Sequence, residues 1–188
     1  QPGEHWVSVI ARADAGVNAA ALSFVKFFGG ESLYIGVVDD GNGGKVWGLD
    51  TQTTDPNGGG DAIAGGGDIT TDTFLVVRMV LGAGGNDDVA DLWINPDITA
   101  GPPSLGTAAV AGAQFNEDRA NNRGIDEIRL ATENGSFYVD ELRIGSTFAD
   151  VAPLPAPATL TILGAGAAAH LRRRRMARAY LHHREPNR

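Results

Sequence analysis

Cysteine is missing from this chain of 188 residues. Its absence excludes disulfides, thiolate zinc sites and thiol catalysis together. A chain without such cross-links must be stabilised by its hydrophobic core, and a bound calcium ion is a candidate for further stabilisation. Histidine is scarce as well, and three of the four copies lie beyond residue 169, so the sequence offers no Ser-His-Asp arrangement.

Positive charge is scarce in the first 150 residues, which hold 22 Asp and Glu against 8 Lys and Arg, a net charge of −14. Residues 151–188 reverse the balance with seven Arg and one Glu, a net charge of +6. An acidic body repels phosphate backbones, so we expect no nucleic-acid partner for it.

Helical periodicity is also missing, because no window before Pro153 carries an apolar stripe with a 3.6-residue repeat. Short runs rich in β-branched and aromatic residues alternate instead with turns rich in Gly, Asn and Asp. They predict strands at residues 6–10, 22–28, 33–38, 46–49, 74–81, 89–94, 125–131 and 137–144. Many short strands without crossover helices predict an antiparallel β-sandwich.

Two hairpins are predicted within this pattern. Residues 74–81 are almost wholly apolar, which is typical of a central strand, and they should pair with residues 89–94. Residues 125–130 and 139–144 match at a 14-residue offset, and the strands that contain them should pair through a turn at Asn134-Gly135. The glycine runs between residues 58 and 67 predict one long surface loop.

The C-terminal region places three signals in a definite order. A proline-rich linker at 151–157 precedes the apolar residues 158–171, and a basic segment follows at 172–188. The positive-inside rule then predicts a short transmembrane helix, a cytoplasmic tail and an exported β domain at residues 1–150. The apolar run has 14 residues, fewer than the ~20 that usually span a bilayer. A surface or buried helix with a basic end, or a nucleic-acid-binding arm, are the alternatives.

Several segments resemble one protein family. Phe74-Leu-Val-Val-Arg, Asn86-Asp87, Leu92-Trp-Ile-Asn-Pro and above all Val139-Asp-Glu-Leu-Arg-Ile-Gly-Ser-Thr-Phe-Ala-Asp-Val resemble the concanavalin A-like, laminin-G-like domains of bacterial proteins with PEP-CTERM tails. The resemblance covers most of residues 6–151 and implies an all-β jelly roll. Phe148 stands where family members usually have Trp, and Ala156 stands where their tails have Glu.

The resemblance further implies export through the Sec route, temporary anchoring in the inner membrane and handling by an exosortase-type sorting enzyme, with later release to the outer surface or extracellular matrix. Export would require a signal peptide before Gln1. The sorting signal would consist of Pro155, Ala156, Pro157, Arg172, Arg173, Arg174 and Arg175.

Catalysis is the function that the acidic residues fit least. Glycoside hydrolases need two carboxylates across the scissile bond, and laminarinase-like relatives carry them in a Glu-x-Asp-x-x-Glu pattern that this sequence lacks. The adjacent pairs Asp126-Glu127 and Asp140-Glu141 send their side chains to opposite faces of a strand. Arg129 and Arg143 each follow a Glu by two residues, which predicts same-face ion pairs instead of an active site.

Two kinds of binding residue remain as candidates. Oxygen-rich turns supply candidate calcium ligands, although the same residues are common in ordinary hairpin turns: Asp39, Asp40, Asn42, Asn86, Asp87 and Asp88. Trp47 and Trp93 are candidates for stacking on sugar rings, with a place in the core as the favoured alternative.

The sequence therefore predicts an all-β, antiparallel jelly-roll sandwich followed by a transmembrane helix, without enzymatic activity. Two functions stay open, a lectin-like module that binds a glycan or exopolysaccharide and a structural or adhesive matrix protein. An exposed concave face bearing Trp or Tyr beside acidic loops would favour the lectin. Buried aromatics without a groove would favour the matrix protein. A hydrolase, the third choice, would need two carboxylates in one cleft.

Overall fold

The computed structural model describes residues 3–26, 30–51, 62–82, 88–115 and 127–153. The chain divides into two compact units, Gln1–Ala152 and Pro153–Arg188. The described residues form ten strands: β1 (Gly3–Ala13), β2 (Ala19–Lys26), β3 (Gly30–Asp39), β4 (Lys45–Asp50), β5 (Ala62–Gly66), β6 (Thr73–Leu81), β7 (Asp88–Ile94), β8 (Val110–Phe115), β9 (Glu127–Glu133) and β10 (Phe137–Gly145).

The strands form two five-stranded antiparallel sheets. Sheet A has the order β10-β1-β6-β7-β8, and sheet B has the order β5-β4-β3-β2-β9. The predicted antiparallel β-sandwich is confirmed. The hairpin between β6 and β7 is also confirmed, and β6 lies at the centre of sheet A as its apolar sequence indicates.

The main core lies between the two sheets, because successive side chains along a strand point to opposite faces and one face of each sheet is turned toward the other sheet. Val7 and Val9 of β1 face inward, as do Leu22 and Phe24 of β2, and all four are buried. The opposite faces of these strands form the two outer surfaces of the sandwich.

Two strands were not predicted from the sequence. β5 (Ala62–Gly66) and β8 (Val110–Phe115) consist mainly of Ala and Gly, which have low intrinsic strand preference. Both are edge strands, and each is held by pairing to a more apolar neighbour, β4 or β7. The predicted long loop at residues 58–67 is therefore wrong for its second half, where β5 lies.

The predicted hairpin between residues 125–131 and 137–144 is wrong. β9 pairs with β2 in sheet B, whereas β10 pairs with β1 in sheet A. The Asn134-Gly135 turn has positive φ at both residues, but it carries the chain from one sheet to the other. The turn is held against the β1–β2 connection, where Asp14 N–H donates to the Ser136 carbonyl and Asn18 N–H donates to the Glu133 carbonyl. β9 and β10 therefore have similar sequences but belong to different sheets, because β9 pairs with β2 and β10 pairs with β1.

A short C-terminal segment, residues 146–152, covers the outer face of sheet A, and we call it the clasp. It contains the one-turn helix α1 (Phe148–Val151), whose Phe148 and Val151 are buried against Trp6 and Trp93. The Ser8 hydroxyl donates to the Val151 carbonyl over 2.7 Å. None of the helices among the described residues has the length and apolar character that crossing a bilayer requires.

Candidate functional site

The outer face of sheet B carries a row of small residues that crosses the strands. Cross-strand register places Ala131 of β9 opposite Ala21 of β2, Ala21 opposite Gly36 of β3, and Gly36 opposite Gly48 of β4. Residues directly opposite one another share a face of the sheet. A sheet face without side-chain bulk along one line forms a depression there.

Two positions in this row accept only glycine. A Cβ atom at Gly36 would collide with the carbonyl oxygen of Ala20, and one at Gly48 would collide with the carbonyl oxygen of Ile63. Both obstacles are backbone atoms, which cannot rotate away as a flexible side chain can. The close backbone packing at these positions therefore requires glycine.

The depression forms a groove of about 330 Å³ over β3, β2 and the edge strand β9. Ala21, Gly36 and Ala131 line its floor, Tyr34 and Asp50 lie on one side, and Glu133 lies on the edge strand β9. Tyr34 and Asp50 are half-buried, and Glu133 is exposed. The groove thus offers one aromatic ring and two carboxyl groups around an apolar floor.

The two carboxyl groups lie at diagonally opposite corners of the groove. Asp50 is opposite Tyr34, whereas Glu133 is opposite Ala19, which lies four residues farther along the sheet. Three strand spacings and four residues of rise separate their Cα atoms by roughly 20 Å. Glycosidase carboxylates lie within about 10 Å of each other. Asp50 and Glu133 are therefore too far apart to flank one glycosidic bond.

The tryptophans singled out by the sequence lie in the core. Trp47 is fully buried, and its indole N–H donates to the Asp68 carbonyl over 3.2 Å. Trp93 is 1% exposed, and its indole N–H donates to the Ser104 carbonyl over 2.9 Å. Neither ring is available to stack on a sugar, which corrects their candidate role and agrees with the core alternative.

The candidate calcium ligands within the described residues make contacts inside the protein. Asp39 pairs with Lys45 over 2.9 Å, and Asp88 is buried with its Oδ1 accepting from the Gly82 N–H. Asp40 Oδ1 accepts from the N–H groups of Asn42 and Gly44, which lowers the pKa of that carboxyl below its ordinary value of 3.8. The contacts of Asp40 belong to an Asx turn between β3 and β4. The described ranges contain no cluster of three acidic or histidine side chains suited to a metal.

Other predicted residues divide into two groups. The same-face ion pairs are confirmed, with Arg129 to Glu127 at 2.8 Å and Arg143 to Glu141 at 3.0 Å. The hydrogen bond from Arg129 lowers the pKa of Glu127. The remaining candidates lie outside the described residues: Asn86, Asp87, Pro155, Ala156, Pro157, Arg172, Arg173, Arg174 and Arg175.

Sequence reasoning missed the groove residues Tyr34, Gly36 and Asp50. A usable signal was present, since alternation in residues 33–38 places Leu33 and Ile35 inward and therefore Tyr34 and Gly36 outward. The alignment of Gly36 with Gly48 and Ala21 depends on strand register, which one sequence does not give. No family model matches the chain, and no curated protein matches it.

Proposed function

We propose that this protein is an exported, lectin-like binding module that takes a glycan chain in the groove on the outer face of sheet B. The observation that carries the proposal is the half-buried Tyr34 beside Asp50 over a floor of Ala and Gly. The β-sandwich is, on this proposal, a concanavalin A-like jelly roll. None of the candidate calcium ligands within the described residues lines this groove.

The chemistry of the groove supports a sugar ligand. An aromatic face packs on the apolar C–H face of a pyranose ring while carboxylates accept hydrogen bonds from hydroxyl groups. Sites for small polar ligands commonly combine an apolar floor with a few placed polar groups. The small side chains at Ala21 and Gly36 leave room for a flat ring close to the backbone.

The charge of the groove favours a neutral or amino sugar over an acidic one. Asp50 and Glu133 border it, and the first 150 residues carry a net charge of −14. Like charges across an interface raise the cost of binding and slow the encounter. An acidic exopolysaccharide is accordingly expected to bind more weakly than a neutral one.

Binding to an array of neutral and acidic oligosaccharides, with the full chain and with and without calcium, tests this function. Tyr34→Ala is expected to lower affinity for the best glycan at least about tenfold, which corresponds to about 1.4 kcal/mol. Ala21→Leu should have a similar effect because its added carbons occupy the groove floor.

Tyr138→Ala supplies the matched control. Tyr138 is 48% exposed on the outer face of sheet A and stacks under Arg12 instead of lining the groove. Its loss should leave glycan binding unchanged. Absence of binding to every glycan, or equal losses in Tyr34→Ala and Tyr138→Ala, would reject the groove as a glycan site.

The C-terminal region is, on this proposal, a PEP-CTERM-type sorting tail. The order of proline-rich linker, apolar run and arginine cluster supports it, and the positive-inside rule orients the β domain outside the cytoplasm. Processing by an exosortase-type enzyme rests on the family resemblance. Mass spectrometry of the secreted form tests it, and a C-terminus still at Arg188 would reject cleavage.

A structural or adhesive matrix protein is the second candidate. The burial of Trp47 and Trp93 favours it, since a sandwich that keeps its largest aromatics in the core presents less stacking surface. The glycan array separates the two candidates, because a spacer domain binds none of the glycans. A hydrolase is disfavoured by the roughly 20 Å between Asp50 and Glu133.

A further inference from the structure

The edge strands of the two sheets differ in their regularity. In the described part of the chain, β5, β8 and β10 each show a register shift against their neighbour, at Trp47/Gly48, Ala90/Leu92 and Ser8/Ile10. β9 instead keeps an unbroken register with β2 over Glu127–Glu133. Bulges protect sheet edges from adding another strand, so β9 is the edge least protected against pairing.

Apolar side chains are exposed along the same side of the sandwich. Leu130 of β9 lies opposite the buried Leu22 and so faces inward, yet it is 59% exposed. Ile144 of β10 lies opposite the buried Val7 and is 53% exposed. Inward-facing apolar residues with this exposure indicate that the sandwich is open between β9 and β10.

We propose that a second copy of this chain pairs with the β9 edge, antiparallel, about a twofold axis at Ala131. In this register Arg129 lies opposite Glu133 of the partner subunit, and the symmetric contact repeats the pair. Opposite charges directly across antiparallel strands stabilise the pairing. The two Leu130 side chains become diagonal neighbours on the inward face, within reach of each other across the axis.

Neighbouring registers are less favourable. Residues that lie directly opposite each other in two paired strands must point to the same face of the sheet. The twofold axis must therefore pass through a residue position, and alternative registers shift it along β9 one residue at a time. An axis at Leu130 places Glu127 opposite Glu133 of the partner subunit, and an axis at Arg129 places two arginines opposite each other. With the axis at Ala131, oppositely charged residues lie opposite each other. The two Ala131 side chains face each other at the axis, and their small size avoids a steric clash there.

The pairing would join the two grooves. Each groove reaches the β9 edge at Ala131, Thr132 and Glu133, and the axis sets Ala131 against its own copy, so that the two grooves meet there. The fused groove would cross both copies of sheet B and fit a polymer longer than one subunit holds. Dimer formation itself does not depend on any glycan, so it stands or fails separately from the proposed function.

Sedimentation velocity on the full chain in mild detergent, from micromolar to hundreds of micromolar protein, tests the dimer. Arg129→Glu and Glu133→Arg should each weaken association about tenfold or more, because each creates two like-charge contacts. The double variant Arg129→Glu/Glu133→Arg should restore association, since the exchanged charges oppose each other again. Circular dichroism checks that each variant is folded.

Glu141→Arg on the bulged edge β10 is the matched control, with the same change of charge as Glu133→Arg. It should leave association unchanged. A wild-type chain that stays monomeric would overturn the proposal. So would a dimer that Arg129→Glu and Glu133→Arg leave intact, or one that the charge exchange does not restore.

Discussion

The two outer faces of the sandwich are built in opposite ways. On sheet A, Trp6 and Trp93 stack with ring centroids 5.8 Å apart, and Phe148 of the clasp meets Trp6 edge to face at 5.4 Å. On sheet B, the corresponding region is a line of Ala and Gly with a groove above it. One face is sealed by large aromatic side chains, and the other is kept open by small ones.

This difference separates stability from function. Large buried rings contribute apolar area and ring contacts that stabilise the fold. Small residues contribute little area but let a ligand approach the backbone closely. Substitutions on sheet A should therefore change stability, whereas substitutions on sheet B should change binding.

The largest expected effect comes from Trp93→Ala on sheet A. Removing this buried ring should lower the free energy of unfolding by about 3–5 kcal/mol, through lost burial and the cavity left under the clasp. Tyr34→Ala on sheet B should cost about 1 kcal/mol or less, because the ring is half-buried on a surface. Urea unfolding of both variants measures the contrast, and equal losses would contradict it.

A smaller effect is expected from Ser8→Ala beneath the clasp. The substitution removes the 2.7 Å hydrogen bond to the Val151 carbonyl and leaves a buried acceptor without that donor. The expected loss is about 1–3 kcal/mol. Amide hydrogen exchange should show it first in residues 146–152, and exchange that rises equally in sheet B would argue against a local role for the clasp.

The smallest effect is a pH dependence of the clasp. Asp150 accepts hydrogen bonds from the Thr147 hydroxyl and N–H, both at 2.9 Å, and these lower its pKa below the ordinary 3.8. Because the folded pKa is the lower one, this stabilisation is present above the ordinary value and is lost as the pH falls through the folded pKa.

Trp fluorescence measures this dependence, since Trp6 and Trp93 lie under the clasp. The signal should change as the pH is lowered from about pH 5 to pH 2, and Asp150→Asn should remove that change. A change that persists unaltered in Asp150→Asn would assign the effect to another group.

Much of the fold could be predicted from the sequence, but little of the candidate site could. Short runs of β-branched and aromatic residues located eight strands, including the almost wholly apolar β6, because such side chains favour the extended backbone of a sheet. β5 and β8 were not predicted because they are rich in Ala and Gly, which have low strand preference, and they take their conformation from pairing with β4 and β7. The Glu127 and Glu141 ion pairs were predictable because each is local to one strand.

Features that depend on sheet partners were not predictable. The Asn134-Gly135 turn matches a hairpin locally, yet its flanking strands follow β2 and β1 into different sheets. Likewise, the alignment of Ala131, Ala21 and Gly36 exists only once register is set. Trp47 and Trp93 were the aromatic residues predicted to stack on sugar rings, but half-buried Tyr34 is the ring that lines the groove.

The clasp also has a consequence for the order of folding. β1 pairs with β10, and Ser8 bonds to Val151 across 143 residues of sequence. Contacts of such separation form late, after shorter loops have closed. Sheet A therefore stays incomplete during synthesis until residue 152 has emerged, while the β2–β3–β4 meander can already assemble. A nascent chain stopped before that point would leave Trp6 and Trp93 uncovered.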